Sequence, residues 1–276
     1  MCVAAIAWQC APGRPLVLVA NRDEYFDRPT AAAEFWPGTD LLAGRDLASP
    51  DEASTWLGIT RGGRFALLTN LRQASEVRPD APSRGPLVAR YLAGQISASD
   101  YATQVHAKRE RYNGFNLLIG QLETNHTAAD CWYVHSKHEA PLHLPPGIYG
   151  LSNAALDTPW PKVQKLVGGF TISLAQHRDS IQLLSPLFDA KQAPLSLLPQ
   201  TGVSLEWERA LSAIFIRTAR YGTRASTVID VQREHTYVIE RSWQAPCPSD
   251  QASLLESPTF SDRSFYFENS LSGQTR

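Results

Sequence analysis

The sequence has no run of about 18 apolar residues, the shortest that would carry a helix across a bilayer. It also lacks a basic segment leading into an apolar core with a small-residue cleavage site, so a cytoplasmic chain without an integral membrane segment is expected. Net charge is almost absent: 26 Lys and Arg against 27 Asp and Glu give −1, which points away from nucleic acid and from an anionic membrane surface. Cysteine is sparse. Cys2, Cys10, Cys131 and Cys247 are scattered over the whole length, which argues against a disulfide framework and for reduced thiols. Metal signatures are missing as well, because His135, His138 and His143 cluster without cysteines or a His-Glu-x-x-His pattern, and no metal is expected. No Cys-x-x-Cys-His is present for covalent haem, and the haem-type dipeptide Cys247-Pro248 is of a kind that arises easily by chance.

What is present begins at the second residue. Met1-Cys2 runs directly into the apolar stretch Val3-Ala4-Ala5-Ile6-Ala7-Trp8. If Met1 is removed, Cys2 carries both a thiol and a free α-amine, so a nucleophile and its base share one residue. Such an amine titrates near about 7.7–8.0 and can accept the thiol proton. Cys2 also suits the plainer role of a small buried residue opening a strand. A second apolar run, Leu16 to Ala20, follows the turn Pro12-Gly13-Arg14-Pro15 and ends in Asn21-Arg22-Asp23-Glu24. Two such runs predict an antiparallel hairpin, and their apolarity on both faces predicts an interior sheet covered on each side. The hairpin returns Arg22 and Asp23 to the neighbourhood of Cys2. The charged quartet is then either a solvated turn or the wall of a site. In a site, Arg22 would favour the thiolate, and Asp23 would orient the amine as the third member of a triad orients its base.

Trp56–Arg61 and Arg64–Asn70 flank Gly62-Gly63, which predicts a hairpin closed by a two-residue turn at positive φ. Asn70 ends its strand as a turn former or as a side chain leaving the sheet toward a site. Asn153 precedes Asp157-Thr158-Pro159, which predicts a helix with Thr158 as N-cap and Pro159 at its first position. Trp160, Val163, Leu166 and Val167 follow helical spacing, which puts Trp160 in the core. Ser97-x-x-Asp100 reads as a capping box for a helix through about Arg109, after another near Pro86 to Leu92. Phe115 to Ile119 and Trp132 to His135 read as strands, and Arg224 opens a strand, Ala225 to Val231, that pairs with His235 to Glu240. Strands interspersed with helices, without a βαβ repeat, predict one α+β layered domain over 1–268. It includes a strand at Ser264 to Phe267, and a polar tail, 269–276, is expected to be disordered.

Several of these segments recur together. The Met-Cys start with Trp8, Asn21-Arg22-Asp23-Glu24, Gly44-Arg45-Asp46-Leu47 with Thr55-Trp56-Leu57-Gly58-Ile59, Leu68-Thr69-Asn70, Tyr149-Gly150-Leu151-Ser152-Asn153 with Thr158-Pro159-Trp160, and Tyr221-Gly222-Thr223-Arg224 stand in this order. In these blocks the chain resembles the NRDE family, whose eukaryotic members are called Transport and Golgi organisation 2. The resemblance implies an N-terminal-nucleophile hydrolase fold: a four-layer αββα sandwich of two antiparallel sheets flanked by helices. The related choloylglycine and penicillin V acylase group uses an N-terminal cysteine to cleave non-peptide amides. By that analogy Cys2 is the nucleophile, Arg22 and Asp23 are its polar neighbours, Asn70 and Asn153 are the oxyanion and amine partners, and Arg224 is a supporting cation. The partner would be a small acyl or amide substrate, and hydrolysis would require no cofactor. The chain departs from the family pattern at Ser54, where glycine is usual. The alternative is a non-catalytic carrier or chaperone for an amphipathic ligand, haem or an acyl-CoA or lipid. The oligomeric state stays open.

Overall fold

The layering follows from side-chain alternation in the first hairpin. In the computed structural model, which describes residues 2–48, 52–124, 127–246 and 257–269, strand β1 (Cys2–Ala11) pairs antiparallel with β2 (Arg14–Tyr25). Successive side chains of a strand point to opposite faces. Val3, Ala5, Ala7, Val17 and Val19 therefore face one way, and Ala4, Ile6, Trp8, Leu16 and Leu18 the other, yet all are buried. Both faces are covered, as the unbroken apolar runs predict.

The chain continues through β3 (Thr30–Phe35), β4 (Leu41–Asp46), β5 (Leu57–Thr60), β6 (Arg64–Asn70), α1 (Gly85–Ala93), α2 (Ala98–Ala107), β7 (Phe115–Gln121), β8 (Asp130–His135) and β9 (Leu142–His143). It then forms β10 (Gly147–Leu151), α3 (Pro161–Ala175), α4 (Leu205–Ala210), β11 (Tyr221–Val231), β12 (His235–Trp243) and β13 (Phe260–Glu268). One sheet has the order β10-β1-β2-β11-β12-β13 and the other runs β3 to β9 in sequence, with every ladder antiparallel. Ile6, Trp8, Leu16 and Leu18 of the first sheet pack against Leu57, Ile59, Phe65, Leu67 and Leu118 of the second. The outer face of the first sheet is covered by Val163, Leu166 and Phe170 of α3 and by Leu183, Leu184 and Leu187. The outer face of the second is covered by Leu87, Val88 and Leu92 of α1 and Tyr101, Ala102 and Val105 of α2. The result is an α+β sandwich of two antiparallel sheets flanked by helices. Each large apolar side chain enclosed this way contributes about 1.5–3 kcal/mol. Among the described residues no helix is long and apolar enough to cross a membrane.

Several local expectations are corrected. The helix anticipated from Thr158 starts two residues later: Trp160 is its N-cap and Pro161 its first residue. The residue before a proline is driven out of the α region, and Trp160 sits extended at ψ 144, so the helix cannot begin upstream of it. Thr158 caps nothing there; its hydroxyl donates to the Ala155 carbonyl at 2.7 Å. In the β5–β6 connection only Gly63 has positive φ, and its N–H closes a turn on the Thr60 carbonyl at 3.0 Å. Arg61, Gly62 and Gly63 thus form a three-residue loop with a left-handed final position instead of a two-residue turn. Arg224 does not open its strand, because β11 begins at Tyr221 and shifts register between Thr223 and Ala225. The expected cap on α2 is present, the Ser97 hydroxyl accepting from the Asp100 N–H at 3.1 Å. Asn269, placed in the expected tail, is tied down by its N–H to the Glu234 carbonyl at 2.8 Å, and 270–276 lie outside the described residues.

Candidate active site

Cys2 opens β1 directly opposite Arg22 of β2, and Arg22 is in turn paired with Ala225 of β11. Cys2, Arg22, Asp23, Thr55, Trp56, Leu68 and Asn70 line a cleft of about 290 Å³. That is a modest volume, at the lower end of small-molecule sites. Glu24, Arg28, Asp46, Ser83, Arg84 and Asn113 add to its polar wall.

Arg22 is buried and held from three sides. Its guanidinium lies 4.3 Å above the Trp56 ring, its Nη2 is 3.6 Å from Asp46 Oδ2, and its Nη1 donates to Thr30 Oγ1 at 3.3 Å. Asp46 also accepts from Arg28 Nε at 2.9 and 3.1 Å. The Trp56 shelf depends on Gly44, since a Cβ there would stand 2.5 Å from Trp56 Cη2. Arg224 is the extra residue of the β11 bulge, which turns it out of the ladder. Its Nη1 donates to the carbonyls of Tyr25 and Arg28 and to Thr30 Oγ1, bracing the loop that presents Arg28. Arg224 does not line the cleft.

Asp23 is fully buried on the opposite side of β2 from the Arg22 stack. It accepts from Thr223 Oγ1 at 2.7 Å, and its carbonyl accepts from the Tyr221 hydroxyl at 3.0 Å. Its backbone N–H reaches the Cys2 sulfur. Burial pushes the Asp23 carboxyl up, against the pull of Lys162 and the Thr223 hydroxyl. The Cys2 thiol is also pushed up, by burial first and by the Asp23 charge, with Arg22 acting in the other direction. Arg22 favours the thiolate, as the sequence leads one to expect, but the net direction is upward. At 7% exposure, desolvation outweighs the nearby positive charge, that of Arg22 included.

Asn70 lines the cleft at the end of β6. Asn153 sits one layer behind, buried, its Nδ2 donating to the Asn70 carbonyl at 2.9 Å and its carbonyl accepting from the Arg72 N–H at 2.8 Å. The neighbouring Ser152 hydroxyl donates to the Cys2 carbonyl at 2.9 Å. Asn153 thus positions Asn70 and Arg72 and is not part of the cleft wall.

Sequence reasoning missed a buried charged cluster behind Asp23. Arg72 pairs with Glu208 at 2.8 Å and stacks 4.7 Å from the Trp160 ring. Trp160 is only partly buried, a bracket for this arginine as well as a core contact. Lys162 is 3% exposed, and burial with the repulsion of Arg72 lowers its amine to about 8, against the attraction of Asp23 and Cys2. One signal was available: Lys162 stands in the first turn of α3, which holds no acidic residue, where a cation opposes the helix dipole. The histidines do not converge: His135 and His138 stack at 4.0 Å, while His143 lies 3.1 Å from Asp130. Among the described residues no group of three His, Cys, Asp or Glu could hold a metal ion, and Cys247-Pro248 lies outside them.

Comparison with known proteins places this geometry in context. The chain is 37% identical over 247 residues to the Transport and Golgi organization protein 2 homolog of Bos taurus, covering 85% of this chain and 88% of that one. It is 34% identical over 240 residues to the Mus musculus homolog, covering 82% and 86%. Among solved structures, the mutant C2A conjugated bile acid hydrolase from Clostridium perfringens aligns at 9% identity with a TM-score of 0.45, covering 86% of this chain and 88% of that one. The cleft, lined from Cys2 to Asn113, lies wholly within residues 1–245, the span that matches the family profile Transport and Golgi organisation 2, and the chain belongs to that family.

Proposed function

We propose that this protein is an N-terminal-nucleophile hydrolase acting on a non-peptide amide or acyl substrate, with Cys2 as nucleophile once Met1 is removed. The observation that carries the proposal is the position of Cys2: it opens a central strand, opposite Arg22 and next to Asp23, at the wall of a polar cleft. In this mechanism the α-amine of Cys2 takes the thiol proton, and the sulfur adds to the carbonyl carbon of the substrate. The tetrahedral oxyanion is stabilised by the Asn70 side-chain amide, at a position whose backbone carbonyl accepts from Asn153 Nδ2. The C–N bond then breaks, the amine passes its proton to the leaving nitrogen, and a thioester remains on Cys2. Water hydrolyses the thioester, releasing the acid and restoring the thiol. Asp23 orients the amine, and Arg22 stabilises negative charge on sulfur.

A second reading, a carrier for an amphipathic ligand such as haem or an acyl-CoA, is favoured by the buried thiol, which burial keeps protonated. Turnover separates the two. A panel of acyl amides and acyl-CoA thioesters incubated with the protein should give free acid, and Cys2→Ala should abolish release while sparing ligand binding. Tight saturable binding without any product would leave the carrier.

A further inference from the structure

Three arginines, Arg22, Arg28 and Arg84, line the cleft beside Cys2, and two of them have their counter-ions in the protein. Arg22 and Arg28 both reach Asp46, at 3.6 and 2.9 Å, and Arg28 meets a second carboxylate in Glu24 at 3.8 Å. The Asp23 carboxyl is turned to the other face of β2, where it accepts from Thr223 Oγ1 at 2.7 Å. Arg84 is the exception. Its Nη1 donates to the Gly114 carbonyl at 3.0 Å, and among the described residues no carboxylate lies within ion-pair distance of it. A guanidinium presents its N–H donors as a planar fork, so a single bond to a carbonyl leaves most of them unused. Arg84 is also partly buried, and its neighbour Arg28 carries the same charge, with Glu24 pulling the other way.

The local backbone adds to this. Arg84 is the N-cap residue of α1, its side chain makes no capping bond, and the first turn of that helix holds no acidic residue. The positive end of a helix dipole disfavours a cation and favours an anion. Ser83, on the same stretch of wall, adds a hydroxyl donor. One wall of the cleft is therefore rich in donors and positive charge, while the nearby carboxylates are engaged by Arg22 and Arg28. We infer that Arg84 is a specificity-determining residue that binds a carboxylate of the ligand, so that the substrate is a small amide itself bearing a carboxylate, such as an N-acyl amino acid. Calling that ligand a substrate rests on the proposed role of Cys2; the anion site does not. The guanidinium fork matches the two oxygens of a carboxylate. A cleft of about 290 Å³ suits a compact anion, since drug-sized ligands occupy about 300–1,000 Å³. A neutral analogue would leave Arg84 without its acceptor, which is the penalty that discriminates against it.

The test uses Cys2 as the reporter and a matched pair of reagents, anionic iodoacetate and neutral iodoacetamide. Alkylation of Cys2 and of exposed Cys10, at the other end of β1, is followed by peptide mass spectrometry at one pH and fixed ionic strength. Arg84→Gln should lower the iodoacetate-to-iodoacetamide rate ratio at Cys2 roughly tenfold, the size of one lost charge-assisted hydrogen bond, and leave the ratio at Cys10 unchanged. Arg111→Gln, an exposed arginine outside the cleft, should change neither. An unchanged Cys2 ratio in Arg84→Gln, or an equal drop in Arg111→Gln, overturns the inference. Should Arg84→Gln not fold, the wild type decides: N-butanoylglycine should protect Cys2 from iodoacetamide saturably and N-butanoylglycinamide should not. Equal protection by both, or by neither, overturns it. Protection by the glycine compound with no butanoate released would sink the hydrolase and leave the anion site standing. Butanoate released equally fast from both amides would keep the hydrolase and overturn the anion site.

Discussion

At Cys2 two influences oppose each other, and their balance decides how the thiol behaves. Enclosure penalises the thiolate, whereas Arg22 favours it, and the net direction is upward. Among the described cysteines the order of alkylation should therefore be Cys10, which is exposed, then Cys2, then Cys131, which burial holds far above the ordinary thiol range. Arg22→Ala should slow Cys2 further and raise its pH midpoint, since the thiolate loses a cation. Peptide mapping after timed alkylation checks both, and Cys2 reacting ahead of Cys10 would contradict the burial argument. Lys162 makes a separate prediction about stability. Its folded-state amine is depressed to about 8, whereas an exposed one titrates near about 10.4. Between those values the unfolded chain binds the extra proton, so stability from this group rises with pH and is lost as pH falls through about 8. Urea unfolding of wild type should show that rise, and Lys162→Met should lack it; parallel profiles would exclude a buried neutral amine above pH 8.

At the scale of elements, the strands were legible because they are apolar on both faces, and the helix start and turns were less so because they depend on one residue. Pro161 overrode Thr158 through the conformational restriction it places on Trp160. The bulge at Arg224 could not be read from an apolar run, because a bulge is set by the pairing of two strands distant in sequence. Gly44 shows how an element reaches the site. A methyl group there meets the Trp56 ring, so Gly44→Ala should displace the indole that Arg22 stacks upon. The expected cost is about 1–3 kcal/mol, typical of an overpacked site. Thermal unfolding and tryptophan fluorescence read it, and an unperturbed emission spectrum would argue against the stack.

For the whole molecule, the residues themselves point to one α+β layered domain and to the meeting of Cys2 with Arg22, whereas the two-sheet sandwich is what the family resemblance implies. Family membership rests on blocks spread across the chain, matched over residues 1–245. The cluster behind Asp23 was not legible, because Arg72, Lys162 and Glu208 come from three separated segments and each alone looks like a surface charge. Only the packing of α3 on β1 and the pairing of Arg72 with Glu208 bring them behind the thiol. The measurement that bears most directly on the nucleophile is the mass of the N-terminal peptide after brief incubation with an acyl amide or acyl-CoA thioester and acid quench. The predicted result is a chain beginning at Cys2 with one acyl group on that residue, absent in Cys2→Ala. A retained Met1 with an unmodified Cys2, at substrate concentrations that saturate binding, would contradict it.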